Sequence, residues 1–146
     1  CPYTPPCRSV LEQSTRGGSQ PVMAQRYRPE IRQGDKRILL LEGRPIGAVL
    51  RVPPPGETRA NFHAGGVAQP SKLDTADRRI VERLAPKLRE EGLFFVGIDV
   101  IGGLLTEINV TSPTGVQEIN ALGGVRLEAQ LIDRIEALVA AGKTRI

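Results

Sequence analysis

A chain of 146 residues, 40% hydrophobic and 25% charged, has the composition of one soluble globular domain, long enough to bury roughly two thirds of its unfolded surface. The 20 Lys plus Arg against 16 Asp plus Glu leave a formal charge of +4, spread along the chain without the aromatic interleaving of a nucleic-acid platform, so no nucleic-acid partner is expected. No apolar run approaches the ~20 residues that cross a bilayer, no leader pattern opens the sequence, and Cys1 and Cys7 neither staple a secreted scaffold nor supply a four-ligand metal site. The expectation is a cytoplasmic protein with no membrane partner. Because the chain opens on Cys1 and its one methionine is Met23, it reads as a fragment.

In chain order, residues 1 to 10 hold three prolines and read as an irregular leader. Val22 to Tyr27 is a short candidate strand, interrupted by Pro29, and Gly34-Asp35 marks a turn. Arg37 to Leu41 and Ile46 to Val52 are apolar runs joined by Glu42-Gly43-Arg44-Pro45, a hairpin signal. Residues 53 to 71, with Pro53-Pro54-Pro55-Gly56 and Gly65-Gly66, show almost no periodicity and read as a long mobile loop. Asp74 caps a helix carrying Ile80, Val81, Leu84 and Leu88 on one stripe, stopped near Gly92. Leu93 to Ile101, Gly102-Gly103 and Leu104 to Val110 form a second hairpin. Ser112-Pro113 resembles a cap followed by proline at the first helical position, and Leu127, Leu131, Ile135 and Leu138 share a face of a last helix. The fold class is α+β, an antiparallel sheet with packed helices.

Two clusters carry chemistry. Glu107 and Asn109 alternate onto one strand face, a carboxylate beside an amide oxygen, which suits magnesium held with phosphate oxygens and water. A two-residue turn at Gly102-Gly103 would send Asp99 to the opposite face, whereas a three-residue turn pairs it with Glu107, and the second register is the expected one. From spacing alone, a solvent-facing Glu107 and Asn109 remain equally compatible. Arg37, Arg51 and Arg59 could clamp an anionic substrate, or could be solvated surface residues. Ala64-Gly65-Gly66 lacks the spacing of a phosphate-binding P-loop, and His63 reads as a surface residue.

Together, Val22-Met23-Ala24-Gln25-Arg26-Tyr27, Gly34-Asp35-Lys36-Arg37, Gly56-Glu57-Thr58-Arg59-Ala60-Asn61, Gly97-Ile98-Asp99 and Thr106-Glu107-Ile108-Asn109-Val110-Thr111-Ser112-Pro113 resemble the C-terminal part of the bacterial glutathione synthetase family, ATP-grasp ligases. The resemblance runs from about Arg8 into the last helix and leaves the leader outside, so residues 11 to 146 would be a partial ATP-grasp domain, its C-terminal lobe. It implies ATP-dependent ligation of γ-glutamylcysteine and glycine through an acyl phosphate. By matching position, Asp99, Glu107 and Asn109 would hold Mg2+ or Mn2+, and Gln25, Arg26 and Tyr27 would line the adenine pocket. Asp35 would approach the ribose, with Asp99 and Asn109 also on the nucleotide side. Arg37, Arg51 and Arg59 would act on the transferring phosphoryl group and the peptide carboxylates. Gly65, Gly66 and Ser112 would contact substrate, and loop 53 to 71 would close over the acyl phosphate. The family's homo-oligomers imply the same for the full-length enzyme, and the missing lobe implies that the isolated chain is inactive. Another ATP-grasp carboxylate-amine ligase, or a non-catalytic binding module, are the competing readings.

Overall fold

The structure, a computed structural model, describes residues 5 to 61 and 65 to 142, with side chains described from residue 8 onward. Its body is a five-stranded sheet of order β3-β2-β1-β4-β5, antiparallel throughout. The strands are β1 (Asp35–Leu41), β2 (Arg44–Val52), β3 (Val67–Pro70), β4 (Phe95–Ile101) and β5 (Leu104–Asn109). Four α-helices accompany it: α1 (Pro5–Ser14), α2 (Thr75–Glu90), α3 (Val116–Gly123) and α4 (Leu127–Ala140). Among the described residues no helix is long and apolar enough to cross a membrane.

Alternation of side chains divides the sheet into two unlike faces. One face carries Ile38, Leu40, Val96, Ile98 and Val100, all buried against Val81 and Leu88 of α2. The stripe expected on that helix is present, with Ile80 and Leu84 packed beside the buried pair. The helix starts on a reciprocal capping box between Asp74 and Asp77. Lys36 Nζ reaches from β1 to the fully buried Asp77 (2.5 Å) and to Asp74 (3.0 Å), which fixes the helix start against the sheet. On the other face Leu39 and Val49 pack on Ile119 of α3 and Leu127 of α4. The rest of that face carries charged groups.

Several local expectations are corrected. The stretch read as an irregular leader is helical from Pro5, because proline breaks a helix only from inside; in the first turn its missing N–H has no intrahelical acceptor. Val22 to Tyr27 joins no strand ladder: it lies between Pro21 and Pro29 and meets β5 through a side chain, Gln25 Nε2 donating to the Thr106 carbonyl (3.0 Å). Val67–Pro70, read as part of the long loop, pairs with Val49 to Val52 as an edge strand, so the connection is shortened to residues 53 to 66. Ser112 and Pro113 do not cap α3, whose N-cap position is Gly115. Pro113 is instead buried, and Ser112 turns the chain with φ 48. On α4 only Leu127 is fully buried; Leu131, Ile135 and Leu138 are half-buried. His63, Cys1 and the fold of residues 1 to 4 lie outside the described residues.

The first hairpin closes with two residues, Glu42 and Gly43, both at positive φ (50 and 75), the turn whose twist matches its strands. The second closes likewise, through Gly102 and Gly103 (φ 57 and 74), so Ile101 pairs with Leu104. The three-residue turn expected here does not form. Its consequence does, by another route: a register shift between Asp99 and Val100 leaves Thr106 as an extra residue on β5 and pairs Asp99 with Glu107. Thr106 Oγ1 donates to the Asp99 carbonyl (3.1 Å) at this bulge.

Candidate active site

The charged half of the second face is built by register. Arg37 stands opposite Asp99, Asp99 opposite Glu107, and Asn109 opposite Gly97, while Asp35 stands opposite Arg51. Directly paired residues of antiparallel strands share a face, so Asp35, Arg37, Arg51, Asp99, Glu107 and Asn109 all project from one side.

Their geometry is an ion network built on Asp99. Arg37 grips it side-on, Nε to Oδ1 at 2.5 Å and Nη2 to Oδ2 at 2.9 Å. Arg51 Nη2 reaches the same Oδ2 at 2.8 Å and also donates to Asp35 Oδ2. Arg37, Arg51 and Asp99 are each 3 to 4% exposed, so none is an ordinary surface charge. Buried ions survive only when paired, and here two cations and two carboxylates neutralise one another. Burial pushes the Asp99 carboxyl up, but the Arg37 hydrogen bonds and the Arg51 charge outweigh it and leave the group below its ordinary range. Asp35 has the opposite balance: burial and then the Asp99 charge raise it to about 6. Burial works against the Arg37 cation, and Asp99, Glu107 and Asp35 more than restore it, holding its pKa above the usual arginine value. Asp35 Oδ1 and Arg51 Nε are buried without a hydrogen-bond partner.

Beside this network Glu107 is exposed and Asn109 half-buried. The Asn109 Oδ1 accepts the Thr111 N–H (3.1 Å), which orients the amide and leaves a second lone pair. Among the described residues no three His, Cys, Asp or Glu side chains gather as a cation cage. The open oxygens are therefore one carboxylate and one amide, a donor set that fits a hard cation shared with phosphate and water. Both Asp99 oxygens already carry arginine N–H bonds, so its part in such a site is electrostatic and organisational.

The residues expected on the nucleotide side gather elsewhere, against the start of β5. Gln25, Arg26 and Tyr27 line an open groove of about 480 Å³ with Leu104, Leu105 and Thr106. Asp35 lies outside that lining, turned into the arginine network. Arg59 is not in the network: it pairs with Glu57 (2.8 Å) in the exposed loop, and that pairing with the Thr58 and Arg59 N–H groups draws Glu57 down to about 2. Gly65 and Gly66 close the same loop, where a Cβ on Gly66 would meet the Ala60 carbonyl oxygen at 2.0 Å. Ser112 borders the network through its turn, since Arg37 Nη1 donates to the Thr114 carbonyl (3.2 Å). Sequence reasoning missed Thr114, whose role belongs to its backbone, and missed that two arginines would be interior.

The architecture has a solved counterpart. The crystal structure of D-alanine–D-alanine ligase from Bacillus anthracis complexed with ATP superposes with a TM-score of 0.50 over 97% of this chain and 48% of that one, at 11% identity. A model of the prokaryotic glutathione synthetase ATP-grasp domain matches residues 3 to 124, beginning within the stretch expected to fall outside the resemblance. Sheet, helices and charged face thus define part of an ATP-grasp domain. Among curated proteins, glutathione synthetase of Synechococcus elongatus is 54% identical over 134 residues, 92% of this chain and 42% of that protein. The Pseudomonas aeruginosa enzyme is 54% identical over 135 residues, covering 90% and 42%, and the Agrobacterium fabrum enzyme 49% over 128 residues, covering 88% and 40%. The chain belongs to the prokaryotic glutathione synthetase family, and it spans less than half the length of these relatives.

Proposed function

We propose that this chain is the catalytic face of an enzyme joining the cysteinyl carboxylate of γ-glutamylcysteine to the amine of glycine, with ATP converted to ADP and phosphate. The observation that carries the reading is the pairing of two buried arginines on Asp99 directly beside the open oxygens of Glu107 and Asn109. In ligation the γ-phosphoryl group passes to the carboxylate, and glycine then displaces phosphate from the acyl phosphate. No protein nucleophile is needed; the work is positioning and charge stabilisation. Arg37 and Arg51, fixed by Asp99, hold the anionic reacting groups, and Arg59 joins them when its loop moves. Glu107 and Asn109, with Asp99 behind them, hold Mg2+ or Mn2+, which supplies charge neutralisation of the phosphate oxygens. Gln25, Arg26 and Tyr27 receive the base in their groove, and Asp35 holds Arg51 within the arginine network. Residues 53 to 66, with Gly65 and Gly66, form the lid, and Ser112 faces the substrate.

The groove stands open and Glu107 beside the buried arginines is exposed, and a water-sensitive acyl phosphate needs a second wall. We therefore place the reaction between this lobe and the further part of the protein that the relatives' length implies, in a cytoplasmic homo-oligomer, and expect no turnover from the 146 residues alone. The test is hydroxylamine trapping in the full gene product. With ATP, magnesium and γ-glutamylcysteine but no glycine, a cysteinyl hydroxamate forms; its absence together with dipeptide-independent ATP hydrolysis would exclude the acyl-phosphate route.

A further inference from the structure

Arg37 is held by more than its ion pair. Its side chain passes between two glycines. A Cβ on Gly97 would lie 3.2 Å from both Cδ and Nη1 of Arg37 and 2.7 Å from Cβ of Pro113. A Cβ on Gly115, on the other side, would lie 3.4 Å from Arg37 Cγ. Gly115 also has φ 119, which favours glycine in any case, but Gly97 has no such backbone demand: space alone excludes a side chain there. Beyond the slot, the Arg37 guanidinium meets the Thr114 carbonyl at 3.2 Å. The turn that delivers this carbonyl is over-determined, with Pro113 buried and the non-glycine Ser112 held at φ 48.

We infer that Gly97 and the turn Ser112–Gly115 form a mould that aims Arg37, and that Gly97 is a positioning residue for the ligation. A guanidinium has five N–H donors. Asp99 takes one from Nε and one from Nη2, and Thr114 takes one from Nη1, so one N–H on each terminal nitrogen is left for an anion. Bidentate recognition of a carboxylate or phosphoryl group depends on where that remaining pair points. Asp99 sets the plane of the guanidinium and the glycine slot sets its depth. A methyl group at position 97 keeps every charge and every hydrogen-bonding residue, yet it pushes either Arg37 or Pro113 away from its place.

The inference rests on the reading of Arg37 as a substrate-anion group, and the test separates the two. In the full gene product, Gly97→Ala and Pro113→Gly are compared with Arg37→Ala. Gly97→Ala fills the slot and Pro113→Gly removes its wall, so the second variant carries the test should the first fail to fold. The expected result is a fall of about 10- to 100-fold in kcat/KM for the dipeptide, with the KM for ATP changed by less than about twofold, since the base groove is lined from the turn end of the β4–β5 hairpin, by Ile101 and Leu104 to Thr106, and Gly97 stands at the other end of that ladder. The Arg37 Nε–H resonance, identified by its loss in Arg37→Lys, should shift in both variants. If Arg37→Ala itself leaves ligation unchanged, the reading of Arg37 has failed. An unaltered Arg37 resonance and unaltered dipeptide kinetics in folded Gly97→Ala or Pro113→Gly, with Arg37→Ala inactive, would overturn the mould alone.

Discussion

Asp99 stands directly opposite Glu107 because Thr106 is one residue more than the β4–β5 ladder needs. With the same two-residue turn and no bulge, Asp99 would face Thr106, and Glu107 and Asn109 would turn toward the apolar face under α2. The extra residue therefore brings the open oxygens to the arginines, and it also leaves the Thr106 carbonyl free for Gln25. One irregularity serves both the proposed metal pair and the proposed base groove.

Glu107 is exposed and accepts no hydrogen bond among the described residues, so its loss should matter for chemistry and not for folding. Glu107→Gln is expected to change stability by less than about 0.5 kcal/mol, while the magnesium concentration for half-maximal ATP turnover rises about tenfold or more. Asn109→Ala should behave similarly. Thermal melts beside a magnesium titration check both halves.

Asp99 is the opposite case. Asp99→Ala leaves Arg37 buried without its carboxylate and Arg51 with only Asp35, and removing one partner of a buried pair costs about 3–5 kcal/mol. The double variant Arg37→Ala/Asp99→Ala should recover part of that loss, because the uncompensated cation goes too and the Arg51–Asp35 pair persists. Urea denaturation midpoints of the single and double variants give the comparison.

Asp35 predicts a pH dependence of definite sign. Its folded value of about 6 lies above the ordinary 3.8, so between those two values the folded chain holds a proton that the unfolded chain has released. Stability is fully present below about pH 4 on this account and falls as pH rises to about 6. Asp99 works the other way, its contribution being complete above the ordinary carboxylate range and lost as pH falls through its lowered value. Asp35→Asn should flatten the slope between about pH 4 and 6 and leave the acid limb. Chemical denaturation across that range reads the slope directly.

Arg59 and Glu57 are clasped in the exposed loop, away from the arginine network. Arg59→Ala is expected to leave the melting temperature unchanged and to lower ligation about 10-fold or more, with more ATP hydrolysed per product formed, because a loop that fails to close admits water. The ratio of ADP to glutathione measures this leak.

Much of the frame was legible in the residues. Glu42-Gly43 and Gly102-Gly103 announce tight hairpins, and Asp74 with Asp77 announces the start of α2. What stayed hidden depends on partners distant in sequence. Val67–Pro70 is a strand only because β2 offers an edge, and Pro5 opens a helix because its position, not its identity, decides. From the residues alone Arg37 and Arg51 read as an anion clamp or as solvated surface groups, and their burial, rare for arginine, follows only once the register delivers Asp99 between them. The pairing of Asp99 with Glu107 was expected through a three-residue turn at Gly102-Gly103, whereas its actual means, a bulge at Thr106, has no sequence signal of its own.

The most direct measurement is product stoichiometry in the full gene product. With ATP, magnesium, γ-glutamylcysteine and glycine all present, the account predicts ADP, phosphate and glutathione in equal amounts, none of them when the dipeptide is left out, and none from residues 1 to 146 alone. ATP consumption that is indifferent to γ-glutamylcysteine, or glutathione formed without ADP, would contradict it.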